Sequence, residues 1–199
     1  MFNPTPTTLS TNKVTLRPLT IEHLAEFFSA GSFPDIWTWS LPDKCTSIKA
    51  TQDWLTYSLK MEKKGEHVPF AIFDNDSGKF VGSTRYCSIN IEDRTLEIGF
   101  TFITPQFQRS YINTHAKFCL LQHAFEEHGA IRVEFKTHER NEKSRNAIAR
   151  LGAKYEGILR NQRILSDGSY RNTAIFSIIE DEWPEVKQSF QEKMACTYE

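Results

Sequence analysis

Residues 96–126 read LEIGFTFITPQFQRSYINTHAKFCLLQHAFE and predict a strand, a short loop and a helix in immediate succession. Every second residue from Leu96 to Phe102 is apolar and is expected on one face of the strand, so that Glu97 lies on the other face. Pro105 ends the strand, and apolar residues recur at helical spacing over residues 114–127. The backbone N–H groups at the start of such a helix have no acceptor within it, so this junction is suited to hold an anion.

The loop between this strand and this helix carries side chains that can contact phosphate oxygens. A guanidinium, an amide and a hydroxyl all belong to the run Gln108, Arg109, Ser110, Tyr111, Ile112 and Asn113. Together with the start of the helix, these groups favour a ligand that carries phosphates.

Outside this stretch, apolar periodicity and turn residues predict a mixed α/β (α+β) domain around a single sheet of about seven strands, flanked by helices. Strands are predicted at residues 14–19, 68–74, 79–90, 94–104, 131–137, 154–165 and 170–179, and helices at about 20–30, 48–64, 114–127 and 141–151. The last two strands are expected to form a hairpin around Asp167 and Gly168. The sheet is therefore expected to be mostly antiparallel.

Length and composition predict one domain with loose ends. The chain has 199 residues, of which 39% are hydrophobic, and this is enough for one substantial core. Residues 1–12 are expected to form a flexible arm, residues 13–183 the folded domain, and residues 184–199 a polar helical tail.

Charge and composition argue against several classes of function. Lys and Arg number 24 and Asp and Glu number 25, so the net charge of -1 gives no general attraction to nucleic acid or to an anionic membrane. No apolar run reaches the roughly 20 residues of a membrane span, and residues 1–12 carry no export signal. The four cysteines lie far apart, which favours buried thiols over zinc ligands. A cytoplasmic protein is expected, with no metal and with neither nucleic acid nor a membrane as partner.

A series of short motifs runs along the chain: TLRPL at 15–19, EIGF at 97–100, TP at 104–105 leading into 108–117, NEKS at 141–144, LGA at 151–153, EGILR at 156–160, and DG at 167–168 with YRNT at 170–173. In this order and spacing, the motifs resemble the GCN5-related N-acetyltransferase (GNAT) superfamily, and within it the ribosomal-protein N-terminal acetyltransferase (RimJ/RimL-type) branch. Each motif is weak alone, but the ordered set is fairly specific.

The resemblance implies acetyl-CoA as the co-substrate, in a V-shaped splay between the fourth and fifth predicted strands, at residues 94–104 and 131–137. Its pyrophosphate is expected on the loop at 108–113. Tyr111 stands where the family usually has glycine, and a side chain there costs free energy if the backbone is left-handed. The implied contacts to acetyl-CoA come from Phe102, Ile103, Gln108, Arg109, Ser110, Tyr111, Ile112, Asn113 and Asn141.

The resemblance further implies that an amine attacks the thioester directly, while the protein supplies alignment and a base. Glu97 is the candidate base, because it faces away from the apolar side of its strand. The structural alternative for Glu97 is an ion pair with Arg85 or Arg94. Glu156 is a second candidate base, and a structural role explains it more readily.

Two residues at the start of the helix at 141–151 have both a functional and a structural interpretation. Ser144 can donate a hydrogen bond to the departing thiolate, since Ile148 occupies the position where many family members have a tyrosine acid. Asn141 can bond the pantetheine amides. Both residues are equally suited to cap the helix, and capping and binding can hold together.

The acceptor is expected to be a primary amine that loses its proton readily. An α-amine has a pKa of about 7.7 to 8.0 and lysine one of about 10.4, so lysine costs about 3.5 kcal/mol more to neutralise. A protein N-terminal α-amine is therefore the favoured acceptor, followed by a small-molecule amine. Trp37, Trp39 and Tyr86 are candidate walls of the acceptor pocket, although such aromatic residues are more often core.

The alternative function is a catalytically inactive module that kept the fold and binds acyl-CoA or a protein. A monomer or a homodimer is expected. The basic residues between 132 and 150 can meet the 3′-phosphate of CoA, contact RNA or form a solvated face, and the solvated face is the default interpretation. His115, His123 and His128 are interpreted as partly exposed helix residues rather than metal ligands.

Overall fold

One mixed β-sheet runs through the computed structural model, which describes residues 2–39, 45–165 and 168–196. Its strands are β1 (Leu9–Ser10), β2 (Val14–Pro18), β3 (Val68–Asp74), β4 (Phe80–Asn90), β5 (Thr95–Ile103), β6 (Arg132–His138), β7 (Lys154–Ile164) and β8 (Tyr170–Ile179). The helices are α1 (Leu24–Gly31), α2 (Ile48–Lys63), α3 (Ile112–Gln122), α4 (Glu142–Arg150) and α5 (Trp183–Cys196). The strand order is β1-β2-β3-β4-β5-β6-β8-β7. Neighbouring strands are antiparallel except β5 and β6, which are parallel.

Helices pack on both faces of the sheet and divide the core in two. The main core lies on the face covered by α3 and α5, and it includes Leu96, Ile98 and Phe190. A second core lies on the other face, under α1 and α2, and it includes Phe27 and Leu55. Because apolar side chains leave both faces of the central strands, β3 is buried along its whole length.

Each predicted strand is confirmed to within one residue at either end. Two helices differ from prediction at their ends: α1 follows a 3₁₀ turn at Ile21–His23, and α3 starts two residues earlier than predicted and continues as a π-helical turn at His123–Glu127. In the hairpin turn between β7 and β8, Asp167 lies outside the described residues.

Both ends of the described chain pack against the domain. Leu9 and Ser10 pair with β2 and add an eighth strand at the edge of the sheet, and Phe2 is buried in the main core. At the other end, Val186 and Phe190 of α5 are buried in the same core. Residues of the predicted arm and tail therefore belong to the core, although the overall composition of these two segments is polar.

A β-bulge interrupts β5 at Phe100. Arg85 of β4 pairs with Gly99, but Ser83 pairs with Phe102, so β5 holds one extra residue at this point. Phe100 has a φ of 52° and is 42% exposed. After the bulge the side chains change faces, and Phe102 lies in the second core. The expectation that residues 96 to 102 share one apolar face is wrong for this reason.

The histidines of α3 and its π-helical turn are more buried than predicted. His115 and His123 are only 1% and 4% exposed, because α3 packs directly onto the sheet. The Nδ1 atom of His115 lies 2.9 Å from the hydroxyl of Thr11, and the ring of His123 stacks on that of Tyr86. The interpretation of these two residues as partly exposed is therefore wrong. In the described part of the chain, no group of three His, Cys, Asp or Glu side chains is placed to hold a metal ion.

Across residues 2–39, 45–165 and 168–196, no helix combines the length and the apolar character needed to cross a membrane.

Candidate active site

The sheet opens between β5 and β6. These parallel strands pair only where Thr95, Leu96 and Glu97 face Arg132, Val133 and Glu134. Farther along, β5 continues to pair with β4 and β6 with β8, so the two strands diverge. This is the predicted splay, which falls between the fifth and sixth strands because β1 precedes them. Past Glu97, the facing edge of β5 therefore has backbone groups that β6 does not satisfy.

The loop at the mouth of the splay leads into the first turn of α3. The N–H groups of Tyr111 to Thr114 have no acceptor within the helix, since they precede its first complete turn. The Ser110 hydroxyl accepts from the Ile112 N–H at 3.3 Å, while the side chains of Arg109 and Ser110 are exposed. A helix start with free N–H groups and an exposed guanidinium fits a pyrophosphate.

Tyr111 does not impose the backbone strain expected of a side chain in place of glycine. Its φ and ψ of -66° and -19° are right-handed helical values that any residue adopts. The left-handed position in this loop falls at Arg109 instead, with a φ of 60°. The departure from the family pattern at Tyr111 therefore carries no conformational cost.

The ring of Tyr111 points away from the splay, toward the turn between β3 and β4. Its hydroxyl donates to Asp74 Oδ1 at 2.6 Å and lies 3.1 Å from Asp76 Oδ2. Burial opposes the charged form of Asp74, but the hydrogen bonds from Ser77 and Tyr111 outweigh it and lower the pKa of Asp74 below its usual value. Tyr111 thus anchors the start of α3 to a neighbouring turn and leaves the cleft open.

Replacing Tyr111 by phenylalanine is expected to lower the free energy of unfolding by about 1 to 2 kcal/mol, because the buried Asp74 carboxylate loses one donor. Urea denaturation measures this change. Tyr57→Phe is the matched control, since Tyr57 is 44% exposed and its variant should stay within about 0.5 kcal/mol of the wild type. Equal stability of the two variants would contradict the anchoring role of Tyr111.

Gln108 ties the loop to both sides of the splay. Its Nε2 donates to the Ile103 carbonyl at 2.8 Å, and its Oε1 accepts from Lys143 Nζ in the first turn of α4. The starts of α3 and α4 therefore lie side by side at the mouth of the splay. In the sequence Lys143 belongs to the NEKS motif and to a basic region, and its position beside the loop at 108–113 depends on the tertiary structure.

Phe102 and Ile103, two of the expected acetyl-CoA contacts, turn their side chains into the cores. Phe102 packs on Phe27 with a ring separation of 5.0 Å, and Ile103 belongs to the main core. Any contact from these two residues to a ligand in the splay therefore comes from the backbone.

At the start of α4, Asn141 caps the helix as predicted. Its Oδ1 accepts from the Ser144 N–H at 3.0 Å. The Asn141 Nδ2 group and the Ser144 hydroxyl make no hydrogen bond to any described residue, so both remain available to a ligand. Ile148 is buried in the main core and offers no acid at the tyrosine position.

Glu97 lies on the α1 and α2 side of the sheet at the point where β5 and β6 part. Its carboxylate accepts from Lys136 Nζ at 3.0 Å and from the Ser88 hydroxyl at 3.3 Å, and the side chain is 13% exposed. A Cβ on Gly99 would lie 2.9 Å from Glu97 Oε1, so the glycine leaves the carboxylate its space. Burial opposes the charge of Lys136, but Glu97 and Glu134 outweigh it and raise the pKa of Lys136.

The expected partners of Glu97 in an ion pair, Arg85 and Arg94, are both wrong. Arg85 is fully buried, where it donates to Ser58 Oγ at 2.9 Å and lies between the rings of Trp54 and Phe100. Lys136 takes the place of the expected arginines because it follows the last β5–β6 pair on the facing strand. Glu156, the second candidate base, pairs with Arg132 and accepts from Ser177, which supports the structural reading of it.

A buried lysine lies behind the bulge. Lys117 of α3 is 5% exposed, and its ammonium donates to Thr101 Oγ1 at 2.6 Å and to Thr84 Oγ1 at 3.2 Å. No carboxylate in the described ranges lies within 4.0 Å of it, and burial lowers its pKa to about 7. Sequence reasoning missed the burial of Lys117, because this residue ends the motif at 108–117 beside apolar positions of α3, and nothing in that pattern marks it as a buried charge.

Of the three aromatic residues expected to wall the acceptor pocket, one lies at the mouth of the splay. The ring of Trp39 lies 4.8 Å from that of His138, at the end of β6. Trp37 is core: its ring packs on Phe102 and its Nε1 donates to the Gly31 carbonyl. Tyr86 is fully buried on the opposite face and donates to the Leu120 carbonyl, so its expected role is wrong.

Comparison with known proteins finds the same architecture. Residues 13–154 match the family model described as an acetyltransferase (GNAT) domain. The structure is similar to a GCN5-related N-acetyltransferase from Brucella melitensis, with 31% identity, a TM-score of 0.89 and coverage of 96% of this chain and 86% of that one. No curated protein sequence matches the chain.

Two more distant structures share the fold and were solved with CoA ligands. Mycobacterium smegmatis RimJ in complex with CoA-disulfide is 21% identical, with a TM-score of 0.79 and coverage of 96% and 95% of the two chains. The microcin C7 self-immunity acetyltransferase MccE, in complex with acetyl-CoA and AMP, is 21% identical, with a TM-score of 0.74 and coverage of 85% of this chain and 93% of that one.

Proposed function

The chain belongs to the GNAT acetyltransferase family, and from this premise we propose that it transfers an acetyl group from acetyl-CoA to a primary amine. The observation that carries the proposal is the opening between β5 and β6, with the start of α3 at its mouth and the Glu97 carboxylate where the strands part. A protein N-terminal α-amine is the favoured acceptor and a small-molecule amine the next. A cytoplasmic location, and a monomer or homodimer, remain predictions.

The residues at the mouth of the splay fit the phosphates of acetyl-CoA. The N–H groups of Tyr111, Asn113 and Thr114, which have no acceptor within α3, supply positive potential together with the exposed Arg109 and the Lys143 ammonium on the same side of the cleft. The unpaired edge of β5 and the Asn141 amide supply partners for the pantetheine amides. RimJ and MccE, which share the fold, were solved with CoA-disulfide and with acetyl-CoA respectively.

In the proposed reaction, the neutral amine attacks the thioester carbonyl carbon, the new C–N bond forms and the C–S bond breaks. The proton that the nitrogen loses passes to the Glu97 carboxylate, directly or through a water molecule. The departing thiolate is stabilised by a hydrogen bond from Ser144 and takes up a proton from water to leave as free CoA, while the protonated Glu97 returns its proton to water. An α-amine suits this site, since it needs less help to become neutral than a lysine does.

The alternative function is an inactive module that kept the fold, and one of the two arguments for it no longer applies. It rested on side chains at Tyr111 and Ile148, and Tyr111 neither strains the loop nor fills the cleft. The buried Ile148 still leaves the leaving thiolate without a tyrosine acid.

Two measurements on the full chain separate these functions. Calorimetry should detect binding of acetyl-CoA, and much weaker binding of acetyl-pantetheine, which lacks the phosphates that the α3 loop is proposed to hold. Release of free thiol should then depend on a peptide or small-molecule amine from an acceptor library. Binding without thiol release from any acceptor would favour an inactive module that binds acyl-CoA. No binding of acetyl-CoA would refute the proposed transfer and leave the inactive module that binds a protein.

A further inference from the structure

Two arginines face each other across the last hairpin of the sheet. Arg163 of β7 and Arg171 of β8 are direct partners in the strand register, so their side chains project from the same face. Like charges placed opposite each other destabilise a strand pair unless another charge lies between them. The pair therefore needs a compensating group.

Within the described residues, no protein carboxylate supplies this compensation. Neither arginine lies within 4.0 Å of a described Asp or Glu side chain, and the Nε of Arg171 is buried without a hydrogen-bond acceptor. Burial and then the charge of Arg163 lower the pKa of Arg171, and the more distant Glu97 offsets only part of this. Glu97 itself is held by Lys136. The Arg171 guanidinium thus keeps donor capacity that the described chain does not use.

The arginine pair borders the mouth of the splay. Thr173 of β8 pairs with His138 at the end of β6, and Arg171 lies two residues before Thr173, on the same face. Burial and the charges of Arg171 and Arg140 lower the pKa of His138. The guanidinium of Arg140 lies 5.8 Å from the centre of the Trp39 ring, which in turn contacts His138. Two arginines, Arg171 and Arg140, therefore lie near the residue that ends β6, and Arg163 lies opposite Arg171 on the hairpin.

This basic group lies on the side of the sheet that carries Glu97. The face of β6 and β8 with Lys136, His138 and Arg171 is opposite the face that joins the main core. Helix α4 packs on β6 and β8 from the main-core side, where Ile148 is buried. A molecule whose amine reaches Glu97 from this side passes beside Arg171 and His138.

We propose that Arg171 and Arg163, with Arg140 at the rim, form an anion-binding subsite in the acceptor cleft, so that the preferred acceptor carries a carboxylate or phosphate near its reacting amine. This inference rests on the proposed acetyl transfer at the same cleft. An anion between the two arginines would remove their mutual repulsion and accept the unused donors of Arg171. A neutral acceptor would leave the repulsion between the two arginines and the unused donors of Arg171 as they are. The subsite therefore favours acceptors that carry a negative charge.

The test compares three peptide amides that share an N-terminal serine and differ at the second residue, which is alanine, aspartate or phosphoserine. We expect kcat/KM of the wild type to be at least about 10-fold higher for an anionic peptide than for the alanine peptide, mainly through a lower KM. Arg171→Gln and the exposed Arg163→Gln should each bring this ratio toward one. Arg150→Gln, which removes the same charge from an exposed position on α4, should keep the ratio. The aspartate and phosphoserine arms distinguish carboxylate from phosphate.

A second readout does not depend on acetyl transfer. Inorganic phosphate, compared with sodium chloride at equal ionic strength, should raise the melting temperature of the wild type and of Arg150→Gln by more than that of Arg171→Gln. Equal kcat/KM for all three peptides would overturn the subsite and leave the proposed function intact. If no peptide is acetylated, the proposed acceptor fails, but a rise in melting temperature with phosphate that depends on Arg171 still supports the subsite. If phosphate gives no such rise, the subsite is overturned.

Discussion

Glu97→Gln is expected to lower kcat for acetyl transfer by about 100-fold or more, the range typical of losing a general base. Glutamine keeps the shape of the side chain and its hydrogen bond from Ser88, but its amide cannot take the proton that the amine must lose. Binding of acetyl-CoA should change little, since the phosphates are proposed to contact the α3 loop and Lys143, which the substitution leaves unchanged. Steady-state kinetics and calorimetry on the same preparation separate these two effects.

Glu134→Gln is the matched control for this result. Glu134 pairs with Glu97 in the β5–β6 register and also binds Lys136, at 2.7 Å, so its substitution disturbs the same ion-pair network without removing the candidate base. We expect kcat of Glu134→Gln to remain within a few-fold of the wild type. A similar loss in both variants would mean that Glu97 acts only through Lys136, and an unchanged kcat in Glu97→Gln would remove it from the reaction.

Lys117→Met is expected to abolish a rise in stability that the wild type shows between pH 7 and pH 8.5. The pKa of Lys117 is about 7 in the folded protein and about 10.4 in an unfolded chain, because burial disfavours the charged form. Between these values the unfolded chain binds the extra proton, so the free energy of unfolding increases with pH. The slope from this one group is at most about 1.4 kcal/mol per pH unit, or about 2 kcal/mol over the interval.

Methionine should be tolerated at this position, because the hydroxyls of Thr84 and Thr101 lie 2.7 Å apart and can bond each other without the ammonium. Denaturant unfolding at the two pH values measures the difference. Lys60→Met, at an exposed position of α2, is the control and should keep the slope of the wild type. If Lys117→Met keeps that slope as well, the lysine remains charged in the folded protein and some group outside the described contacts stabilises it.

Much of this architecture follows from local patterns in the sequence. Alternation and turn residues predict strands β2 to β8 to within one residue at either end, and the order of strand, loop and helix around Pro105 is as predicted. Asn141 was predicted to cap α4, and its side chain does so. These features depend on residues close together in the chain, where spacing alone carries the information.

Other features of the site depend on tertiary geometry that spacing does not determine. The bulge at Phe100 is set by a single positive φ, and it reverses the face of every later residue in β5. Glu97 meets Lys136 only because two strands that are distant in sequence pair in parallel with a particular register. The residue with left-handed backbone angles in the α3 loop is Arg109, two residues before Tyr111, so the side chain of Tyr111 causes no backbone strain. The sequence does not show at which of these positions the left-handed conformation falls.

The brevity of the contact between β5 and β6 has a mechanical consequence. Direct backbone pairing across this boundary is limited to the three residue pairs that begin at Thr95 and Arg132. A ligand whose own amides form hydrogen bonds to both diverging strands would replace the backbone pairing that is missing between them. The stability of the contact between the two parts of the sheet would then depend on whether that ligand is bound.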